Sequence, residues 1–342
     1  MRRTPIIATY VTTPLPALVE AAAGTRAITK IFSSAEVPEI AQGASVRFMP
    51  QRNLYALLES TARVLGMRDL GLAYGLHLNV VDWGLWGAYV RGAETVEGAL
   101  RRAGRAMPYH VSMDTLTLEV RGDEAWFVHR AELFGIIGYP HYAACAASAM
   151  ISLIRAFTGP GWRPSRIEVN LPRPRHAGAW EDVFRCPVVF DRPDLAVVLP
   201  RDLLTSARLS SSDDRPVTMA DLRRLVSGGA PRDFVGEVTE IVRLRLLQGE
   251  SDIEGLAHLL ALGPRTIQRR LVDAGTSYRN IVARVRVERA LELLQETDIP
   301  IFQISGELSY SAPTHFARAF RRATGRSPDE IRRASNGASP PP

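Results

Sequence analysis

Residues 309–328 read SYSAPTHFARAFRRATGRSP. Phe316 and Phe320 lie four residues apart and supply the apolar stripe that a soluble helix must bury. Arg318, Arg321, Arg322 and Arg326 crowd the same segment, with no acid before Asp329. Burial does not require that charge. It marks either a solvated basic face or a helix that meets phosphate.

A second segment bears on the choice. IEGLAHLLALGPRTIQRRLVDAG and IFQISGELSYSAPTHFARAFRRATG share one plan: a short helix, a turn, and a second helix with Pro264 or Pro313 near its start. Each second helix stops at a glycine, Gly275 or Gly325, where a left-handed cap belongs. Ile267 and Leu271 in one copy match Phe316 and Phe320 in the other, so the opposite face is left for Arg269 and Arg270, or for Arg318, Arg321 and Arg322. Between Pro264 and Arg289 seven arginines face only Asp273 and Glu288; between Tyr310 and Arg333 six face Asp329 and Glu330. Helix, tight turn and helix is the helix-turn-helix pattern, and two tandem copies joined by a helix favour duplex DNA as the partner.

These units need elements to carry them. The joining helix is predicted over YRNIVARVRVERALELLQ, with apolar residues at Ile281, Val285, Leu291 and Leu294, and further helices over RDFVGEVTEIVRLRLLQ and PIFQISGELS. No strand is expected in this half. The front half mixes both periods. RNLYALLESTARVLG and TVEGALRRAGRAMPYH read as helices, the first ending at Gly66 and the second capped by Thr95. TLTLEVRGDEAWFVHRAEL reads as a hairpin turning at Gly122-Asp123, a long helix covers Tyr139 to Phe157, and RIEVNL and PVVFDRPDLAVVLP supply short strands around a helix in AGAWEDVF. The expected architecture is an α+β domain over 1–205, a linker over 206–230 that opens with SARLSSSDDRP, an all-α double helix-turn-helix over 231–335, and a disordered tail over 336–342.

Bulk composition narrows the class. A chain of 342 residues exceeds one ordinary core, and 46% hydrophobic with 23% charged residues is normal for a globular protein. The net charge of +6 favours anionic partners, but Lys30 is the sole lysine. Such a skew follows genomic base composition, so the clustering of arginine carries the argument rather than its total. Cys145 and Cys186 form no metal spacing and no disulfide framework, so no cofactor or metal is expected and a reducing cytoplasm fits. Pro5, Pro14, Pro16 and Glu20 break any signal-peptide core, and YAACAASAMISLIRAF is too short to span a bilayer.

The segment from about residue 250 to 333 resembles the DNA-binding domain of AraC/XylS transcription regulators. PRTIQRRLVDAGTSY is similar to its first recognition helix, and SYSAPTHFARAFRRATGRSPDEIR to its signature tail. The sequence departs from the pattern at Ser309, where glycine is usual, at Gly306, which is expected to interrupt the preceding helix, and at Ile331, where an aromatic is usual. More distantly, LLESTARVLGMRDLGLAYGL, ETVEGALRRAGRAMPYH and CPVVFDRPDLAVVLPRDLL resemble the arabinose-binding-type N-terminal domain of one branch of that family. The resemblance implies a regulator, an activator that contacts RNA polymerase, with a front domain that dimerises and senses a small-molecule effector, arabinose not being thereby specified. Together with the apolar faces it assigns DNA contact to Arg265, Thr266, Gln268, Arg269 and Arg270 in the first unit. In the second it assigns Thr314, His315, Arg318, Arg321 and Arg322.

Other chemistry finds little support. No Walker loop, G-x-S-x-G elbow or H-E-x-x-H is present. Tyr139, His141, Tyr142 and Cys145 cluster at a helix start, but a Cys and His four apart on one helix make poor triad geometry. Together with Trp83, Trp86 and Tyr89 at helical spacing, Tyr139, His141 and Tyr142 are candidates for an effector pocket; the plainer reading of the tryptophan group is core. His129 on a hairpin strand reads as structural. Two alternatives to the effector-responsive regulator remain: a ligand-independent DNA-binding regulator, and a metabolite enzyme with an attached DNA-binding domain.

Overall fold

A computed structural model describes residues 4–37, 48–209, 216–225, 231 and 233–336. The chain divides into two compact units, one reaching Ala230 and the other beginning at Pro231.

The front unit opens with β1 (Ile6–Ala8), α1 (Leu15–Ala23) and α2 (Thr25–Ser34), then β2 (Phe48–Pro50), α3 (Gln51–Leu65) and α4 (Leu70–Gly75). α5 (Gly84–Arg91) and α6 (Val96–Ala106) lead into β3 (Thr115–Arg121) and β4 (Glu124–Arg130), followed by α7 (Tyr139–Thr158). β5 (Arg166–Glu168), α8 (Gly178–Phe184), β6 (Val188–Val189), β7 (Leu195–Pro200) and α9 (Met219–Leu225) complete it. β1 and β2 pair antiparallel, Ile6 opposite Pro50. The second sheet has the order β3-β4-β7-β5-β6 and is antiparallel except between β5 and β6. The expected hairpin is present, with Leu118 opposite Phe127 and Gly122 at φ 58° in the turn.

Local chemistry explains the helix limits. α3 ends on Gly66 at φ 65°, and Thr95 caps α6 by accepting from the Gly98 N–H. α7 is buried along most of its length and is the central post of the unit. Glycines of α4 let it approach α7 closely: a Cβ on Gly71 would lie 2.4 Å from the His141 carbonyl oxygen.

Residues expected in a linker partly belong to the front unit. Ala207 bridges to Thr95, the Arg208 N–H donates to the Glu94 carbonyl, and Leu222 of α9 is buried. Arg223 donates to the Tyr109 hydroxyl at 3.3 Å. Residues 210–215 and 226–230, and the expected tail beyond 336, lie outside the described residues.

The second unit is all helix: α10 (Phe234–Leu246), α11 (Ile253–Leu260), α12 (Pro264–Asp273), α13 (Tyr278–Glu296), α14 (Ile301–Glu307), α15 (Pro313–Thr324) and α16 (Pro328–Asn336). One apolar core runs from Val238 on α10 to Ile331 on α16, and takes in Ile267, Leu271, Phe316 and Phe320. Gly306 lies within α14, so it does not interrupt that helix, and Ile331 fills the core where an aromatic was the expected type.

Candidate nucleic-acid interface

The two helix pairs, α11–α12 and α14–α15, repeat down to their turns. α11 ends with Ala261 at φ 50°, and the Leu262 N–H reaches back to the Ala257 carbonyl. α14 ends with Ser309 at φ 57°, and the Tyr310 N–H reaches back to the Ser305 carbonyl. Both are the bond of a Schellman cap, built on a residue other than glycine. Ser309 offsets its strained backbone with a 2.6 Å hydrogen bond from its hydroxyl to the Gly249 carbonyl.

Internal ties set each pair on the unit. Arg245 is 5% exposed and donates to Glu250 at 2.9 Å and Asp252 at 2.7 Å. Asp252 caps α11 through the Gly255 N–H, and that bond, with Arg245, holds its carboxyl below the usual range. On α13, Arg286 donates to the Ser251 hydroxyl and the Ser309 carbonyl while lying 4.7 Å from the Tyr310 ring centre. One side chain thus ties the approach to the first pair to the turn of the second. Arg332 on α16 donates to the Leu293 and Ile299 carbonyls at the end of α13.

These ties shrink the basic surplus seen in the sequence. Arg284 bonds Thr239 and pairs with Glu288, Arg286 is spent as described, and Arg289 pairs with Glu292. Arg270 is half-buried, its guanidinium 4.4 Å from the Phe234 ring centre, and Thr266 is half-buried. Arg265, Gln268 and Arg269 are exposed on α12, and among the described residues they have no hydrogen-bonded or ionic partner. At spacings of three and four they share a face with Val272, which is 66% exposed. On α15, Thr314, His315, Arg318, Arg321 and Arg322 are all exposed, with His315 held to the Ser311 hydroxyl at 3.1 Å. The structure therefore assembles two polar faces, one per second helix, each backed by a buried apolar pair. Val272 was missed because a valine in an amphipathic helix is ordinarily assigned to the core.

The front unit holds a narrow cavity of 70 Å³ within its own core. Of the pocket candidates, Trp83, Trp86 and Tyr142 line it, whereas Tyr89, Tyr139 and His141 do not. Tyr89 lies under the Arg102 guanidinium, Tyr139 donates to Asn170 at 2.7 Å, and His141 sits 3.6 Å from Glu59. Two histidines join the lining instead. His110 stacks on Trp83 at 4.8 Å, and His129 is buried against Asp114 at 3.1 Å. Asp114 also accepts from Gln51, from Tyr142 and from the Glu132 N–H. Burial alone would raise its carboxyl, but the bonds and charge of His129, with those of Glu132 and Tyr142, outweigh it and lower the pKa. Burial pushes the Cys145 thiol up to about 12, so it offers no thiolate for nucleophilic work. Among the described residues no His, Cys, Asp or Glu group is arranged to hold a metal, and no helix is long and apolar enough to cross a membrane.

A tandem helix-turn-helix unit behind an α+β unit with an interior cavity defines a class, that of DNA-binding regulators with an attached N-terminal domain. Residues 27–207 match the arabinose-binding domain of AraC transcription regulators, N-terminal, and residues 256–334 match a helix-turn-helix domain. The chain is 25% identical over 314 residues to the ornithine utilization regulator of Pseudomonas aeruginosa, covering 89% of this chain and 90% of that one. Over 76 residues it is 47% identical to the transcriptional regulator VqsM of the same organism, 22% and 23% of the two chains. Its identity to the transcriptional regulator VirS of Mycobacterium tuberculosis is 26% over 291 residues, 83% and 84% of the two chains. The chain belongs to the AraC family of transcription regulators. It is a DNA-binding regulator and not an enzyme.

Proposed function

We propose that the chain binds specific duplex sites at promoters through the exposed faces of α12 and α15, and that a small molecule held in the front unit controls transcription from them. One observation carries this reading: two helix-turn-helix pairs with equivalent turns and buried faces each leave an exposed polar face, on which His315 alone has an internal bond, to Ser311. Arg265, Gln268 and Arg269 have the donor and acceptor groups that read base edges in a major groove, and exposed Val272 suits a thymine methyl. Thr314, His315 and Arg318 serve likewise on α15, with Arg321 and Arg322 toward phosphate. The 19-residue α13 is about 28 Å long, near the roughly 34 Å between successive major-groove faces. The front unit pairs two chains, which raises the effective concentration of each DNA-binding unit at a two-site operator. Action is by activation, through contact with RNA polymerase.

Selection of duplexes from a random pool by the full chain tests the DNA reading. Enrichment of a motif with two base-specified segments is expected; recovery of duplexes without any enriched motif contradicts it. Sedimentation of the full chain at tens of micromolar tests pairing, with a dimer expected. A monomer there removes the dimer.

A further inference from the structure

The cavity beside Trp83, Trp86 and His129 restricts what it can hold, and this step rests on that cavity, rather than the wider cleft lined by Ser152 and Arg155, being the effector site. None of the side chains lining it carries a carboxylate, guanidinium or ammonium. A charged ligand would be desolvated there without a counter-ion. The space of 70 Å³ is about half that of an apolar cavity that takes up benzene, roughly 150 Å³, so one ring is the most it admits, and only as its walls give.

Most polar atoms of the lining are already spent. The Tyr74 hydroxyl donates to the Val11 carbonyl at 2.6 Å, the Trp86 indole to the Ala106 carbonyl at 2.9 Å, and the Tyr142 hydroxyl to Asp114 at 2.8 Å. Cys145 donates to the Gly71 carbonyl. Besides the Trp83 indole N–H, two histidine nitrogens are left. His129 is 3% exposed; its Nε2 faces Asp114 and its Nδ1 is buried without a partner. With Nε2 on the Asp114 carboxylate, Nδ1 is the ring atom left for a ligand. His110 is kept neutral, its pKa lowered to about 3 by burial. Its Nδ1 bonds the Tyr10 hydroxyl at 2.7 Å, and its Nε2 has no protein partner among the described residues.

We infer that the front unit binds a neutral, mainly apolar molecule of at most one ring bearing one hydroxyl, a phenol-like ligand, whose hydroxyl bonds His129 Nδ1 and His110 Nε2. A hydroxyl both donates and accepts, so it can serve either ring nitrogen. The Trp83 and Trp86 rings, 5.6 Å apart, supply flat apolar contact. A pentose brings several hydroxyls to a lining with few free polar atoms, and leaves most of them unsatisfied.

Calorimetric titration of the full chain with phenol, benzene, benzoate and arabinose tests the assignment. Saturable binding of phenol at one site is expected, about tenfold tighter than benzene, the worth of a neutral hydrogen bond or two, with no binding of benzoate or arabinose. His129→Gln keeps a donor toward Asp114 and removes Nδ1, so phenol should fall to the affinity of benzene while benzene is unchanged. Ala149→Leu fills the cavity and should abolish both. Should His129→Gln fail to fold, the phenol-to-benzene ratio of the unaltered chain decides alone. Phenol binding no tighter than benzene, or not at all, overturns the inference. Benzoate or arabinose binding that Ala149→Leu abolishes also overturns it, while keeping the cavity as the effector site. Phenol binding of the expected kind with unchanged operator affinity leaves the ligand class standing and removes the sensor reading.

Discussion

Arg269 and Arg270 are neighbours in sequence but face different tasks, and their alanine variants should separate cleanly. Arg269 is exposed and bonded to nothing described, so Arg269→Ala should leave the unfolding midpoint within the roughly 0.5 kcal/mol scatter of surface changes. As a bidentate guanine contact it is worth about 1–3 kcal/mol, which is on the order of 5- to 150-fold in operator affinity, concentrated at one base position. Arg270 lies 4.4 Å from the Phe234 ring centre. Arg270→Ala should cost about 0.5–1 kcal/mol of stability through the lost cation–π contact, more with the packing of its stem, and leave base preference intact. The assay is an anisotropy titration of each full-length variant on a selected operator and its single-base variants at several salt concentrations. A lost phosphate contact would lower the salt slope by about 0.9 without changing base preference. If Arg269→Ala keeps both affinity and base preference, or if Arg270→Ala relaxes a base position, the assignment of faces on α12 is refuted.

Two further outcomes follow from the same geometry. Ala261→Gly should stabilise the DNA-binding unit by about 0.5–1 kcal/mol, because relief of a left-handed alanine, roughly 1–2 kcal/mol, exceeds the added freedom of the unfolded chain, roughly 0.4–1 kcal/mol. Ser309→Gly, which also loses the bond to Gly249, should be near neutral; denaturant melts that show equal gains for both would refute the bond's contribution. In the front unit the folded-state pKa of Asp114 lies below its unfolded value, so its contribution is present above about pH 4 and lost as pH falls through that range. Asp114→Asn should therefore flatten the acid limb of unfolding followed by tryptophan fluorescence, since all five tryptophans lie in the front half; an unchanged limb would contradict it.

The DNA-binding unit was legible because its signals are local. Apolar residues at Ile267, Leu271, Phe316 and Phe320, the prolines at each helix start and the glycines at each end define both helices within a dozen residues. Which arginines remain available was not legible, because Arg286 and Arg332 find their partners across the fold rather than along the helix, and Arg284 adds Thr239 on another helix to its neighbour Glu288. The hairpin at Gly122 was readable from its alternation, whereas β1 and β2 are three-residue strands far apart in sequence that carry none. The cavity is intermediate. Trp83 and Trp86 share a face at a spacing of three, but His141, about 100° round the helix from Tyr142, points to Glu59 instead. Gln51, His110, Asp114 and His129 meet only through tertiary packing, and no spacing in the sequence announces them.

The central claim is that both second helices read DNA from one face. Hydroxyl-radical and base-methylation footprinting of the full chain on a selected operator measures it directly. The account predicts, for each chain, two protected major-groove segments about one helical turn, roughly 34 Å, apart, with Arg269→Ala opening one and Arg318→Ala the other. A single protected segment per chain, or two that both open with the same substitution, would contradict it.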